Sequence, residues 1–357
     1  MCEAQHRTTF AGAAMTDSRP LERLLKQVQR LKQHDEYWAA TTRLARMWIT
    51  PKQAPPYRPY LTVLLSQQGK ILGSHVMEQP PAAEALFASL LRAMRRPALG
   101  SGRSRRPTRM YLDHAEHVAA LTPLLETLNI QCVHRPTLAM ADEVVTAMET
   151  QWGKYPLPPG LVSMPSVTLP MLGHLHALAA QLYRATPWRW FHDHHPFAIQ
   201  VPPEDAPRSA IVMGNAGEVF GLSVYDTPGD LQLVFSPTLS HREIARRSTW
   251  FVLFFEEAPA VSFEDLDAIA EHGWPIAAPH AYPVFGRSTA DQGLALPSRA
   301  DLLWMEGALG ALLTSIDQHM VLRRGVPQLA DVTIPVARGD GEVPVHLQLL
   351  RFDAIFE

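Results

Sequence analysis

Cysteine and long apolar runs are the features that this sequence has least of. Its 357 residues include two cysteines, Cys2 and Cys132, which are too few for a disulfide scaffold or for a zinc site made of cysteine. No stretch reaches the ~18 apolar residues that span a bilayer, and residues 1–14 lack the apolar core of a signal peptide. We therefore expect a soluble, cytoplasmic protein that does not bind membranes.

Net charge is also small. The formal charge of −3 and the pI of about 6.6 give no overall attraction to nucleic acid or anionic lipid, so binding of either requires a local basic patch. Hydrophobic residues make up 46% of the chain and charged residues 19%, which is typical of globular proteins. Because single cores stop growing near ~250 residues, a chain of 357 residues predicts two domains.

Periodicity and proline-rich breaks divide the chain into five predicted segments. Leucines at helical spacing follow Met15, which makes Met15 an alternative start to Met1. The first helix is expected to run through Trp38 towards Trp48. The segments are a disordered extension at 1–14, a helical segment at 15–54, an α/β domain at 55–152, a proline-rich linker at 153–170 and an α+β domain at 171–357.

The α/β domain reads as ββαβαβα, and YLTVLLS and KILGSHVM begin it as a hairpin that turns at Gly69. This order, with Asp113 directly after a strand, is similar to the ribonuclease-H-like scaffold, in which carboxylates hold two magnesium ions. Such a site needs an acid on the first strand, and YLTVLLS has none. The similarity therefore implies a degenerate, catalytically silent scaffold, in which we expect Asp113 to cap the following helix.

The α+β domain begins with a helix and continues as an antiparallel meander of four predicted strands, FAIQVPP, RSAIVMGN, EVFGLSVYD and LQLVFS. Gly217 is expected in a hairpin turn, and Gly221 is expected where two backbones pack closely. A long helix is predicted to start at Ser298 or Asp301. A hairpin around residues 339–341 closes the chain.

Several phrases together resemble a known pattern: VMGNAGEVFGLSVYD, SFEDLDAIAEHGWP, AYPVFGRSTADQGLALPSRADLLWMEGAL and the N-terminal hairpin-helix-YLD unit. The chain resembles a bacterial family of two-part proteins that consist of two adjacent domains of unknown function. Its recurrent features are a Pro-Trp pair, here Pro187 and Trp188, and a G-x-x-G-x-x-x-G-L-x-x-Y core, here from Gly214 to Tyr225. The resemblance covers roughly residues 57–320. It implies a soluble two-domain protein and transfers no catalytic residue.

The stretch WRWFHDHHPFAIQ contains three histidines and an aspartate that could bind a metal ion or move a proton. A zinc site needs three or four ligands in tetrahedral geometry, and alternation along a strand would let at most His192 and His194, or Asp193 and His195, share one metal. The remaining ligands must come from distant segments. A polar turn before Pro196, with histidines exposed or hydrogen-bonded, is the favoured interpretation of His192–His195.

Arginine is concentrated between Ala85 and Leu112, where the sequence has no acid. Guanidinium groups in a loop rich in glycine and serine can bind phosphates, and released counterions drive the association. No aromatic residue interleaves the loop, so base stacking is not predicted, and a solvated connector is the favoured interpretation. The candidate nucleic-acid contacts are Arg95, Arg96, Arg103, Arg105, Arg106 and Arg109.

Tryptophan and phenylalanine are abundant in the second half of the chain. Most of them are expected in the core, but aromatic side chains near proline-rich turns can also line a groove for a peptide or small ligand. The residues predicted to bind such a ligand are Trp188, Trp190, Trp274 and Tyr225.

The sequence favours a non-enzymatic binding or accessory protein that takes another protein or a small ligand, with the cleft between the two domains as the expected site. We predict no catalytic residue and no cofactor. The alternative is a metal-dependent hydrolase or nuclease that uses zinc or another divalent metal at His192–His195. A third hypothesis is a nucleic-acid binder that uses the loop Arg95–Arg109.

Overall fold

The computed structural model describes residues 19–152, 159–289 and 293–356. The predicted extension at 1–14 lies outside the described residues. The chain divides into two compact units, Met1–Pro156 and Leu157–Glu357, which we call unit 1 and unit 2. None of the helices in the described ranges is both long enough and apolar enough to cross a bilayer.

Unit 1 is an α/β unit with a five-stranded mixed sheet. Its described elements are α1 (Arg19–Gln29), β1 (Gln33–Leu44), β2 (Tyr60–Ser66), β3 (Ile71–Met77), α2 (Ala83–Arg95), β4 (Arg106–Leu112), α3 (Ala115–Glu126), β5 (Gln131–His134) and α4 (Ala139–Trp152). The strands lie in the order β3-β2-β1-β4-β5. Strand β2 is antiparallel to both of its neighbours, β1 and β3, whereas β4 is parallel to β1 and β5 is parallel to β4.

Strand β1 is the centre of this sheet, and the helix predicted there was wrong. The first helix ends at Gln29, and Gln33–Leu44 is extended. The strand pairs with β2 on one side and with β4 on the other, and buried residues alternate at Glu36, Trp38 and Ala40. The observed order from β1 onward is βββαβαβα, one strand more than predicted. The α/β class is confirmed.

Helices cover both faces of the unit 1 sheet. Because side chains alternate along a strand, Trp38 and Leu64 face α1, α2 and α3, whereas Val63 and Tyr111 face α4. Full burial of one leucine of this kind contributes about 1.5–3 kcal/mol. Unit 1 therefore has three layers, with the sheet between two layers of helix.

Unit 2 is an α+β unit with an antiparallel sheet. Its described elements are α5 (Leu169–Ala185), β6 (Phe197–Gln200), β7 (Arg208–Met213), β8 (Gly221–Tyr225), α6 (Pro228–Val234), α7 (His241–Arg247), β9 (Trp250–Glu256), α8 (Phe263–His272), β10 (Tyr282–Thr289), β11 (Gly293–Ala295), α9 (Arg299–Gln318), β12 (Met320–Arg323), β13 (Val326–Leu329), β14 (Val332–Arg338) and β15 (Gly341–Leu349). Eight strands form one sheet in the order β11-β10-β9-β8-β7-β6-β15-β14, and β12 pairs with β13. The predicted α+β class and antiparallel meander are confirmed.

One predicted strand of the meander is a helix. LQLVFS was predicted as a strand, but Pro228–Val234 forms α6. Thr227 and Asp230 make a reciprocal capping box, and Pro228 occupies the first turn, where its missing N–H costs nothing. A similar box at the start of α9 uses Ser298 and Asp301, so the predicted start of that helix is confirmed.

The two faces of the eight-stranded sheet are covered differently. Helices α5 and α9 pack on one face and form the main core, in which Leu175, Phe251 and Leu309 are fully buried. On the other face, Ile211 and Leu231 belong to a small cluster beside α6. The part of this face along β8 and β9 is a groove.

Part of the predicted linker, 153–170, is packed against unit 2. Residues 153–158 lie outside the described ranges, and a 3₁₀ turn follows at Leu161–Ser163. The N–H groups of Leu161 and Val162 donate to the carboxylate of Asp265 on α8, at 3.0 and 3.1 Å. These bonds fix the start of unit 2 to helix α8.

Candidate functional site

The histidine cluster is a turn, not a strand. The N–H of His195 donates to the carbonyl of His192 at 2.7 Å, and strand β6 begins after it. The ring of His192 is therefore closer to His195, with centroids 4.1 Å apart, than to His194, at 5.9 Å. The alternation predicted for His192 and His194 was wrong, because it assumed an extended backbone.

The same cluster offers few metal ligands. His194 packs edge-on against Phe352, with ring centroids 4.3 Å apart. Burial, reinforced by the neighbouring imidazoles, lowers the pKa of His195, and its buried Nδ1 has no hydrogen-bond partner among the described residues. In the part of the chain that the structure describes, no three His, Cys, Asp or Glu side chains are grouped as metal ligands would be.

The six candidate arginines have different environments. Arg105 donates from Nε to Glu36 at 2.5 Å, and Arg106 donates to the carbonyls of Leu31 and Leu128 at 3.1 and 2.7 Å. These two side chains hold the loop to the sheet. Arg109 lies 3.7 Å from Asp35. Four of the six are exposed: Arg95, Arg96, Arg103 and Arg109.

Asp113 lies at the carboxyl end of β4, where the sequence suggested a lost catalytic site. The residue beside it on β1 is Thr41, whose hydroxyl donates to Asp113 Oδ2 at 2.5 Å. The helix cap predicted for Asp113 was wrong, because His114 is the N-cap of α3 and makes no side-chain cap bond. Thr41 therefore offers a hydroxyl where a two-metal site needs a second carboxylate. A divalent metal would find one charged ligand at this point.

The four residues predicted to bind a ligand do not converge. Trp188 is buried in the core among other aromatic rings, and Trp190 is 38% exposed. Trp274 packs on His176, with ring centroids 5.0 Å apart. Tyr225 lies on the opposite face of the sheet, where it lines the groove along β8 and β9.

This groove has a volume of about 460 Å³. Its floor consists of alternate residues of two paired strands, because the side chains of one strand face share a direction every second residue. Tyr225 is paired with Trp250, and Ser223 with Val252. Ile244, from α7, forms part of the rim. The apolar side chains that line the groove include Met213, Val219, Trp250, Val252, Phe254 and Leu294.

Four polar residues line the groove: Ser223, Tyr225, Ser248 and Glu256. Burial, with a smaller contribution from Asp193, raises the pKa of Tyr225, so its hydroxyl stays protonated at neutral pH. Glu256, at the end of β9, is half-buried, and its carboxylate has no ion pair or hydrogen bond with any residue in the described ranges. Of the four residues predicted to bind a ligand, Tyr225 is the one that lines this groove.

Two family profiles match the chain. A domain of unknown function, DUF6930, matches residues 24–149, and a second domain of unknown function, DUF7309, matches residues 173–318. The chain is a tandem of DUF6930 and DUF7309. The predicted pair of adjacent domains of unknown function is therefore confirmed, with one domain in each unit.

Other comparisons add little. No curated protein matches the sequence. A chain of the cryo-EM structure of a simian T-cell lymphotropic virus intasome in complex with PP2A regulatory subunit B56 gamma is 15% identical, over 64% of this chain and 87% of that one, with a TM-score of 0.21. At that TM-score the similarity supports no argument about this fold.

The DUF7309 domain contains an ionic network that the sequence did not predict. Arg287 lies 3.1 Å from Asp301 and also pairs with Asp226. Arg208 lies 3.5 Å from the same Asp301 and 2.5 Å from Glu204. The network joins β7, the end of β8, β10 and the start of α9. Apart from Glu204 and Arg208, its partners are too far apart in sequence for any spacing rule to have found them.

The DUF7309 domain also buries two polar residues of α5 and α9. Glu306 is fully buried, accepts a hydrogen bond from the Gly339 N–H at 2.9 Å and contacts His174. His176 is buried against Trp274, and burial lowers its pKa to about 4. His174 and His176, two residues apart on α5, have different partners.

His176 makes the stability of the DUF7309 domain depend on pH. Its pKa is about 4 in the folded state and ~6.5 when exposed, so the unfolded chain takes up the proton first as the pH falls. The stabilisation is complete above pH ~6.5 and is lost towards pH ~4, a total of about 3 kcal/mol. We expect His176→Leu to remove this part of the pH dependence in urea unfolding.

His272→Leu is the matched control, because His272 stacks on the same Trp274 at 5.5 Å but is exposed. It should leave the pH dependence of the unfolding free energy as it is in the natural sequence. An unchanged slope in His176→Leu between pH ~6.5 and ~4 would contradict the assignment.

Proposed function

We propose that this protein is a non-enzymatic binding protein, and that the groove of unit 2 binds an elongated apolar molecule with one basic group. The observation that carries the proposal is the groove of about 460 Å³ along β8 and β9. Small-molecule sites have volumes of roughly 300–1,000 Å³, with mainly apolar walls and a few polar groups. This groove has that size and that composition.

The floor of the groove is suited to the apolar part of the ligand. Trp250 and Phe254 expose ring surface to it, and Val252 lies between them on β9. Each methylene group that moves from water onto such a surface contributes about 0.8 kcal/mol. From Trp250 to Glu256 the strand rises by roughly 20 Å, so the floor suits a chain more than a compact ring system.

Glu256 is the residue that would bind the basic group of the ligand. Its carboxylate is half-buried at one end of the floor and has no partner in the described part of the chain. A partly buried charge without a partner is unfavourable, and a ligand ammonium group would relieve that cost. The Tyr225 hydroxyl lines the same groove, beside Trp250 and therefore at the end of the floor away from Glu256.

Dodecylamine tests the proposal, with dodecanol as the neutral ligand and dodecanoate as the anionic one. We expect saturable, one-to-one binding of the amine by titration calorimetry below its aggregation concentration. Glu256→Gln should weaken amine binding about tenfold, because a charge-assisted hydrogen bond contributes ~1.5–3 kcal/mol. The affinity for dodecanol should not change.

Glu257→Gln is the control variant, because Glu257 is the exposed neighbour and the substitution changes the net charge equally. It should bind dodecylamine as the natural sequence does. The proposal is wrong if no ligand of the three saturates the protein, if Glu257→Gln weakens the amine as much as Glu256→Gln, or if dodecanoate binds as tightly as the amine.

A further inference from the structure

Charge is divided unequally between the two units. Residues 19–152 contain 18 Lys and Arg against 11 Asp and Glu, a formal charge of +7, while the whole chain has −3. The remaining residues therefore carry −10. Unit 1 is therefore basic although the whole chain is nearly neutral. A basic unit can attract anionic partners that the net charge of the chain does not indicate.

The unpaired basic side chains of unit 1 are concentrated on two helices that touch. Arg23 and Lys26 lie on the solvent side of α1, followed by Arg30, at spacings of three and four residues that place them on one helix face. Helix α2 packs against α1. Its last turn and C-cap add the exposed cations Arg92, Arg95 and Arg96.

The two helices meet at a cavity of about 420 Å³, which Arg23, Gln27 and Arg95 line. None of these six cations is in an ion pair with a described residue. The sequence placed a basic site in the loop Arg95–Arg109, but Arg105 and Arg106 are bound to the protein itself. We call the six exposed side chains on α1, on α2 and directly after each helix the basic face: Arg23, Lys26, Arg30, Arg92, Arg95 and Arg96.

We propose that the basic face binds the phosphate backbone of double-stranded nucleic acid without reading its sequence. Six unpaired cations on two neighbouring helices can contact several phosphates at once. A single small anion does not provide several phosphates. Duplex DNA presents a phosphate about every 3.4 Å along each strand. Aromatic residues are missing from the basic face, so base stacking plays no part.

A bilayer is a poorer partner for this surface. Helices that lie in a membrane interface expose an apolar face to the lipid. The apolar residues of α1, Leu21, Leu24, Leu25 and Val28, all pack on the core of unit 1. Leu99, in the following loop, is fully exposed, but one leucine does not form an apolar face.

The test is binding of a mixed-sequence DNA duplex to the full chain, followed by fluorescence anisotropy over about 50–300 mM salt. The double variant Arg23→Gln and Arg95→Gln removes one cation from each helix at the cavity. Each lost phosphate contact lowers the slope of log K against log salt by ~0.9. We expect a slope lower by about 1.8 and, near 0.1 M salt, roughly 60-fold weaker binding.

Two further variants separate this site from charge in general. Lys52→Gln with Lys70→Gln changes the net charge equally at exposed positions in the loop after β1 and the turn after β2, and should keep both slope and affinity. Arg23→Lys with Arg95→Lys keeps the charge and should also keep the slope, which shows that the site and its fold survive substitution.

Four results would overturn the proposal. The first is an absence of duplex binding at about 50 mM salt, and the second is equal loss in the two glutamine pairs. The third is binding to phosphatidylcholine vesicles with about 30% phosphatidylserine while duplex DNA is not bound. Full competition by millimolar inorganic phosphate would assign the cavity to a small anion and would also overturn it.

Discussion

Gly221→Ala is expected to unfold unit 2. An alanine Cβ at this position would lie 2.0 Å from the carbonyl oxygen of Leu253 and 2.9 Å from the Cα of Phe254. Both are backbone atoms of β9, to which β8 is paired, so neither can move without separating the strands. The φ of +153° adds backbone strain for any L-residue. We expect a loss of more than ~4 kcal/mol of unfolding free energy.

Gly217→Ala is the control that separates overlap from backbone strain. Gly217 also has a positive φ, +80°, but no atom lies within 4 Å of its added Cβ. Its substitution should cost about 1–2 kcal/mol. Urea unfolding and hydrogen exchange of the β8 and β9 amides measure the loss of unfolding free energy in both variants. Equal costs for the two variants would contradict the close approach of the backbones.

Removal of Arg287 is expected to have the next largest effect on stability. Its guanidinium bridges Asp226 and Asp301, whose side chains are 24% and 11% exposed. Arg287→Ala would leave two partly buried carboxylates with Arg208 as their remaining cation. Breaking a buried ion pair from one side typically costs ~3–5 kcal/mol, and we expect this loss in the unfolding free energy of unit 2.

Arg299→Ala provides the comparison, because Arg299 is exposed in the first turn of the same helix, α9. It should change the unfolding free energy by less than ~0.5 kcal/mol. Raising the salt concentration should leave the cost of Arg287→Ala largely unchanged, since buried pairs are screened less than exposed ones. A cost below ~1 kcal/mol would place the network among solvated surface ion pairs.

Sequence patterns predicted the fold where local signals and tertiary packing agree. The long helix that the sequence predicted to start at Ser298 or Asp301 is α9, and these two residues form its capping box. Strand β1 was missed because Ala39, Ala40, Thr41 and Thr42 give no apolar alternation, and its burial comes from β2 and β4 on either side. The strand propensities of single residues cannot predict which neighbouring strands will bury them.

The candidate site was predicted in part. Tyr225 was singled out as an aromatic side chain, yet the groove also needs Glu256, which looks in the sequence like an ordinary acid at a strand end. The basic face was missed for a related reason: Arg23 and Arg95 are 72 positions apart and meet through the packing of α1 on α2. Counting charge by segment would have indicated a basic unit 1.

A crystal structure of the protein with dodecylamine tests the central claim most directly. We predict that the alkyl chain lies along Trp250, Val252 and Phe254, with the amine nitrogen about 3 Å from the Glu256 carboxylate. An empty groove at saturating amine, or a ligand that occupies it with its nitrogen directed away from Glu256, would contradict the account.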